Sequence, residues 1–234
     1  MGETVTFPLN KVEDLRRQAA ARLPRLKPVT QPDGWVRSRA DLGRVLAAFS
    51  PLRLDRRYRL RAYLYREAVG GNAAVWAVPR GLRLLLPEDC ARVLTASLPG
   101  SAPKPPGAAD DFMAAIQGDD SPWSYLCASI LARELLEFGA WWHGLDWSTH
   151  VLVGREPDFA AAPEPDQWQW VGERPETWAP SVEAGGDQII VRLHTYSEAY
   201  RRAFYQHRDI YVPGSYCARR ERLTVAEGPA GYCF

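Results

Sequence analysis

The sequence predicts an α+β fold in which an antiparallel sheet packs on one central buried helix, with N-terminal helices at one side. Residues 121–138 are apolar on nearly every side at helical spacing, which is typical of a buried helix. Residues 57–65 alternate with a period of two, and residues 187–226 resemble an antiparallel meander. A strongly curved or barrel-like sheet wrapped around the helix is the alternative. With 46% hydrophobic residues, we expect residues 1–234 to form a single α+β domain.

The N-terminal segment, residues 1–50, is predicted to be helical. Asn10 followed by Glu13 matches a capping box, which indicates the start of a first helix. Ser38 in the N-cap position indicates a second helix, and Pro51 is expected to end it.

A hairpin is expected after the helical segment. Residues 57–65 form its first strand, the Gly-Gly-Asn sequence at residues 70–72 is typical of a hairpin turn, and residues 74–78 supply the returning strand. We expect a further strand at residues 82–86 and then a short helix over residues 87–98.

Two segments are predicted to lack regular structure. Residues 99–110 (PGSAPKPPGAAD) form a flexible Pro/Gly/Ala loop. Residues 154–186 form an irregular segment rich in proline, acidic residues and tryptophan. Since large aromatic residues at this density are rare in free linkers, we expect the second segment to lie over the core.

The last part of the chain is predicted to form antiparallel strands joined by turns that contain proline and glycine. A helix near residues 198–208 is an alternative to the second of these strands. The strands are expected at residues 189–196, 200–212 and 216–225, with turns at residues 213–215 and 227–229.

The central helix is expected to begin with Ser121 as N-cap and Pro122 at its first position. Glu134 falls near the middle of the apolar arc of this helix. A buried carboxylate is too costly to keep charged and unpaired, so Glu134 must be paired, hydrogen-bonded or protonated. We interpret it first as the structural partner of an arginine or a tryptophan N–H. The alternative is a general acid or base with a raised pKa, acting with His143 or His150.

Charge is unevenly distributed along a chain whose net charge is +1. Residues 1–66 carry 15 basic and 6 acidic side chains, whereas residues 67–186 carry 7 basic and 17 acidic ones. The small net charge indicates no overall attraction to nucleic acid or to a membrane surface. The two regions are able to neutralise each other after folding.

One strand nevertheless has the residue types of a polyanion-binding surface. Arg57, Arg59 and Arg61 project from one side of the strand, and Tyr63 and Tyr65 continue that side. Arginines beside aromatic rings contact phosphates and stack on bases in RNA-binding sheets. RNA or polyanion binding through this strand is therefore an alternative function, although the absence of an RNP-type motif weighs against it.

The histidines offer a second alternative, a metal site. His150, His194 and Glu134 would form a two-histidine, one-carboxylate set if their strands paired in a suitable register. No compact ligand motif supports this, so we expect hydrogen-bonded core histidines and assign neither a metal nor a cofactor. The sequence also lacks a G-x-S-x-G elbow and a P-loop.

The leading functional hypothesis is a non-catalytic binding or accessory protein with an aromatic-lined groove. Nine tryptophans and ten tyrosines, concentrated after residue 120, suggest such a groove, and an entirely closed aromatic core is the alternative. A small enzyme based on Glu134 is the competing function. The residues expected to contact the ligand are Trp141, Trp142, Trp147, His194 and Tyr196.

The cysteines and the lack of long apolar runs indicate where the protein resides. Cys90, Cys127, Cys217 and Cys233 are far apart and form no C-x-x-C pair. No signal peptide and no run able to span a bilayer is found. We therefore expect a cytoplasmic protein with a protein or small-molecule partner and no membrane partner.

Overall fold

The computed structural model describes residues 2–24, 33–67, 70–95, 98 and 100–232. These residues include two α-helices, α1 (Leu9–Arg22) and α2 (Pro122–Leu136). The strands are, in chain order, β1 (Glu3–Thr6), β2 (Gly34–Arg37), β3 (Arg53–Leu54), β4 (Tyr58–Glu67), β5 (Gly70–Pro79), β6 (Ala91–Leu94), β7 (Ser101–Lys104), β8 (Ile116–Gln117), β9 (Trp141–Trp142), β10 (His150–Val153), β11 (Gln169–Trp170), β12 (Ser181–Gly185), β13 (Gln188–Ser197), β14 (Arg201–Tyr211) and β15 (Ala218–Ala230). Short 3-10 helices occupy Leu42–Ala48, Pro87–Asp89, Phe112–Ala115, Trp147–Thr149, Phe159–Ala161 and Pro165–Gln167.

The predicted central helix and its relation to the sheets are confirmed. The Ser121 hydroxyl accepts a hydrogen bond from Ser124 N at 3.2 Å, and Pro122 occupies the first helical position. Every residue from Ser124 to Leu135 is buried. Because α2 contacts β5 on one side and β12 and β13 on the other, two sheets share one apolar core around it. The chain is thus an α+β fold with a curled antiparallel half-barrel sheet packed on a central helix.

The larger sheet is antiparallel, with seven strands in the described part of the chain. Its order is β1-β12-β13-β14-β15-β11, and β10 pairs with β13 on the same edge as β12. Val191, Leu193 and Thr195 face α2, so this is the inner face of the sheet. Side chains of alternate residues, such as His194 and Tyr196, lie on the outer face.

The predicted turn at residues 227–229 is wrong, because these residues belong to β15. β15 runs on beside β14 through two register irregularities. A Cβ at position 228 would collide with the indole of Trp168, so Gly228 is where that ring packs on the strand. The alternative helix near residues 198–208 is also absent, since β14 occupies Arg201–Tyr211.

The smaller sheet has the order β2-β4-β5-β9 and confirms the predicted pairing of the first hairpin. Its turn is not at residues 70–72, however. Glu67 lies opposite Gly70, so the connection falls on residues 68–69, outside the described residues, and Gly70, Gly71 and Asn72 are part of β5. Glycine at position 71 has a packing role instead, because the indole of Trp141 lies against its backbone.

The N-terminal helices begin differently from the prediction. α1 starts after Pro8 and has no side-chain cap, so Asn10 lies inside the helix and the capping box is wrong. The second predicted helix is a 3-10 helix, capped by Asp41 rather than Ser38. Its buried residues Leu42 and Val45 are three apart, which suits the 3-10 repeat.

Residues 82–98 also depart from the prediction. No strand forms at residues 82–86, and the predicted helix over residues 87–98 is a single 3-10 turn followed by β6. β6 pairs with β7, so part of the predicted 99–110 loop is a strand, while residue 99 lies outside the described residues. Cys90 and Ala102 pack this hairpin into a second apolar cluster. The alternation of residues within a single strand does not predict this cluster, because its members come from several segments of the chain.

The segment before β12 covers the outer face of the larger sheet with aromatic rings. Trp178 is buried, with its ring centroid 4.9 Å from that of His194. Phe159 stacks on Trp168 with centroids 4.9 Å apart. Neither α-helix of the described residues has the length and apolar character that spanning a membrane requires.

Candidate functional site

Glu134 is held by both kinds of partner that the structural interpretation named. Its Oε1 accepts hydrogen bonds from Trp147 Nε1 at 2.8 Å and from Arg16 Nε at 3.2 Å. The Arg16 guanidinium lies 4.1 Å from the centroid of the Trp147 ring. Burial raises the pKa of Glu134, and the bonds from Trp147 and Arg16 act in the opposite direction. The carboxylate is therefore anchored within the protein through one of its two oxygens.

Arg16 joins this carboxylate to the chain that follows α2. Its Nη2 donates to the Trp147 carbonyl at 2.6 Å, and its Nη1 donates to the His150 carbonyl. Burial lowers the pKa of Arg16, and the charge of Glu134 opposes this effect. One guanidinium thus fixes α1, α2 and β10 relative to one another.

His150 belongs to a buried hydrogen-bond chain on the inner face of the larger sheet. Its Nδ1 lies 2.7 Å from Thr195 Oγ1, and the same oxygen lies 2.9 Å from His207 Nε2. Its Nε2 faces Asp146 Oδ1 at 3.6 Å. Burial, and then the charge of nearby Arg133, keeps the pKa of His207 well below its ordinary value.

This chain is satisfied when both imidazoles are neutral. His207 Nε2–H then donates to Thr195, the Thr195 hydroxyl donates to His150 Nδ1, and His150 Nε2–H points to Asp146. Thr195 has no solvent-exposed surface, so its hydroxyl is inaccessible as a nucleophile. The imidazole of His150 and the guanidinium of Arg222 lower the pKa of Asp146 to about 2.

The register of β10 and β13 rules out the proposed two-histidine, one-carboxylate set. His150 lies opposite Ser197, whereas His194 lies opposite Val153 on the outer face of β13. His194 Nδ1 lies 3.2 Å from the Trp178 carbonyl, and burial lowers the His194 pKa to about 4. Within the described residues, no group of three or more metal-binding side chains is found.

The predicted aromatic ligand site is divided among three places. Trp141 and Trp142 are exposed at the edge strand β9, whereas Trp147 is buried beside Glu134. Tyr196 and His194 lie on the outer face of the larger sheet. The Tyr196 hydroxyl donates to a neighbouring carboxylate at 2.8 Å. These five residues therefore do not line one groove.

Trp141 and Trp142 form a distinct surface, which we call the tryptophan pair. Their ring centroids are 6.1 Å apart and their planes differ by 7°. Trp141 and Trp142 expose 41% and 51% of their residue surface. Trp142 has a φ of 48°, a left-handed conformation that is uncommon outside glycine. His143 is also exposed, with its ring 6.2 Å from that of Trp142, and donates no hydrogen bond to Glu134 among the contacts of the described residues.

The arginines of the predicted polyanion-binding surface, Arg57 just before β4 and Arg59 and Arg61 within it, are partly used within the protein. Arg57 donates to Asp55 Oδ2 at 2.6 Å, and its hydrogen bonds lower the pKa of Asp55 to about 2. Arg59 donates to a backbone carbonyl after β5. Tyr63 is fully buried, so the predicted Arg/Tyr surface does not extend along the strand. Arg61 is half-buried.

Four members of the polar cluster around Glu134 and His150 were not identified from the sequence. Which of these polar side chains meet depends on long-range pairing, which no local pattern in the sequence shows. They are Arg16, Asp146, Thr195 and His207.

Two pairs of adjacent aspartates, Asp110–Asp111 and Asp119–Asp120, form contacts within the protein. Asp111 accepts from Met113 N at 2.8 Å, and Asp119 accepts from Ser121 N at 3.1 Å. Asp110 pairs with Lys104, and Asp120 accepts from the Tyr125 hydroxyl at 3.0 Å.

The chain was compared with known protein families, curated proteins and solved structures. No protein family, no curated protein and no solved structure matches it.

Proposed function

We propose that the chain is a binding protein and that it contacts a protein partner through the tryptophan pair. The observation that carries this proposal is the exposure of two adjacent, nearly parallel indoles at one edge of a sheet. Large aromatic rings bury much apolar area on binding, and tryptophan is enriched among the residues that dominate protein interfaces.

The backbone beneath the tryptophan pair supports the proposal. Trp142 keeps a left-handed conformation although it is not glycine, and such conformations concentrate at functional sites. Gly144 N donates to the Trp141 carbonyl at 3.0 Å, and Leu145 N donates to the Trp142 carbonyl at 2.8 Å. Because these carbonyls are already bonded, we infer recognition by the side chains rather than by addition of a strand.

Binding is favoured over acid–base catalysis by the contacts of the predicted catalytic residues. Glu134 Oε1 already accepts two hydrogen bonds, and both ring nitrogens of His150 face protein partners. A cytoplasmic location is part of the proposal. The free thiols of Cys90 and Cys217 are compatible with a reducing compartment, whereas Cys233 lies outside the described residues.

The test compares partners captured by the intact protein and by a W141A/W142A variant. The full chain is cross-linked in lysate of its own host, and each captured protein is purified and titrated against both forms. We expect a purified partner whose affinity falls at least about 100-fold in the double variant, because removal of interface tryptophans costs about 2 kcal/mol or more each.

A matched control is L94A, which removes the exposed Leu94 far from β9 in the sequence and is expected to keep full affinity. Unfolding curves establish that all variants are folded. A partner that binds W141A/W142A and the intact protein equally well contradicts the proposal.

A further inference from the structure

A shallow pocket of about 430 Å³ lies between α1 and β10, away from the tryptophan pair. Its volume falls within the range of small-molecule sites. One face of α1 lines it from one side and β10 from the other, and Glu134 of α2 contributes to it. The pocket is lined by Glu13, Arg16, Arg17 and Ala20 of α1 and by Val151 and Leu152 of β10.

The cations that line the pocket already have partners. Arg16 donates to Glu134 and to two backbone carbonyls. Arg17 Nη2 lies 2.7 Å from Asp14 Oδ1. A ligand anion would therefore compete with existing contacts at both guanidiniums.

The carboxylates of the pocket have unused capacity. Glu134 is 9% exposed, and both of its hydrogen bonds end on Oε1. Its Oε2 accepts no hydrogen bond from the described residues. Glu13 is half-buried and forms no ion pair within the same part of the chain. The carboxylate oxygens of the pocket are therefore free to accept hydrogen bonds from a positively charged donor.

We propose that this pocket binds a small organic amine as its alkylammonium ion, which donates to Glu134 Oε2 while its hydrocarbon part contacts Ala20 and Leu152. This site goes beyond the proposed protein contact, because it lies elsewhere and takes a different ligand. Burial raises the pKa of Glu134 because it disfavours the ionised carboxylate. A bound cation supplies the counter-charge that stabilises this ionised form. The same ammonium group also occurs on lysine side chains, and the test separates these two sources.

The experiment titrates n-butylammonium chloride into the isotopically labelled full chain and follows backbone amide shifts. We expect saturable shifts at Val151, Leu152 and Glu134. The neutral analogue n-butanol should bind about tenfold more weakly, because charge-assisted hydrogen bonds are the stronger ones. A lysine with blocked backbone termini is titrated in the same way. If it binds more tightly than n-butylammonium, the natural ligand is a lysine side chain of a polypeptide and not a free amine.

Two variants of exposed residues on α1 locate the site without disturbing the buried contacts. Ala20→Phe fills the pocket and should abolish the shifts, whereas Gln18→Phe, which does not line it, should leave them unchanged. E134Q should weaken n-butylammonium to the level of n-butanol. Equal binding of both ligands to the intact protein, shifts that persist in Ala20→Phe, or shifts centred on Trp141 and Trp142 would each overturn the proposal.

Discussion

Arg133 and Asp209 form a bidentate ion pair inside the protein, between α2 and β14. Nη1 lies 2.5 Å from Oδ2 and Nη2 lies 2.7 Å from Oδ1. Asp209 is only 1% exposed. Burial acts to lower the pKa of Arg133, but the carboxylate of Asp209 outweighs it, so that pKa lies above its ordinary value. The pair fixes the rotation of the central helix against the sheet.

Removing one partner of this pair should be strongly destabilising. In D209N the guanidinium of Arg133 stays buried without a counter-charge, which costs about 3–5 kcal/mol of unfolding free energy. Urea denaturation of D209N and the parent protein measures this loss. The double variant R133M/D209L removes both charges and should recover most of the stability. A loss below about 1 kcal/mol in D209N, the size of a surface ion pair, would contradict the expected burial.

Local signals in the sequence were sufficient for the central helix but not for its partners. Ser121, Pro122 and an apolar periodicity specify α2 over a few turns of chain, and the same periodicity placed Glu134 inward. No local signal marks Arg133 as buried, because its partner Asp209 lies 76 residues away and the contact depends on the packing of α2 against β14. Local periodicity carries no information on that packing.

The histidines show the same limit in the larger sheet. Alternation places His194 and Tyr196 on one face of β13, but it does not say which groups of β10 and β14 that face meets. These contacts follow from the register, in which His150 pairs with Ser197. The tryptophan pair could be named from its composition, whereas its exposure depends on the turn after α2 and on the glycine at position 71.

The buried neutral histidines should make the protein sensitive to acid. Burial lowers the pKa of His194 from 6.5 to about 4, and it also holds the pKa of His207 well below its ordinary value. Above pH 6.5 both are neutral in the folded and unfolded states. As the pH falls from 6.5 toward 4, the unfolded chain gains protons that the folded protein does not, so stability decreases. Chemical denaturation across this range measures the decrease.

Burial raises the pKa values of Glu134 and Glu137, so these carboxylates increase the stability of the fold as the pH falls. A histidine variant is needed to separate the opposite contribution of His194 from theirs. His194→Gln removes one titrating group and should flatten the acid-induced decrease relative to the parent protein. The matched control is His143→Gln, which replaces an exposed histidine outside the larger sheet. Parallel profiles for His194→Gln and the parent protein would disprove the assignment.

Gly71 should be intolerant of even one added carbon. A Cβ at this position would overlap the indole of Trp141, so Gly71→Ala must displace that ring. We expect a loss of about 1–3 kcal/mol, as for overpacking elsewhere, together with a shift in tryptophan fluorescence. Gly81→Ala is the matched control, because no atom lies within 4 Å of an added Cβ there. An unchanged fluorescence spectrum in Gly71→Ala would show that Trp141 does not rest on this glycine.

Glu134→Gln tests whether the buried carboxylate stabilises the fold. The amide oxygen retains an acceptor for Trp147 Nε1, but Arg16 loses its counter-charge. We expect a decrease of roughly 1–3 kcal/mol in unfolding free energy, which urea denaturation measures. Glu13→Gln changes a half-buried carboxylate without an ion pair in the described residues and should shift stability by less than about 0.5 kcal/mol. If Glu134→Gln instead raised stability, the desolvation penalty of the carboxylate would exceed the stabilisation that its hydrogen bonds and ion pair provide. Its retention would then require a role in binding.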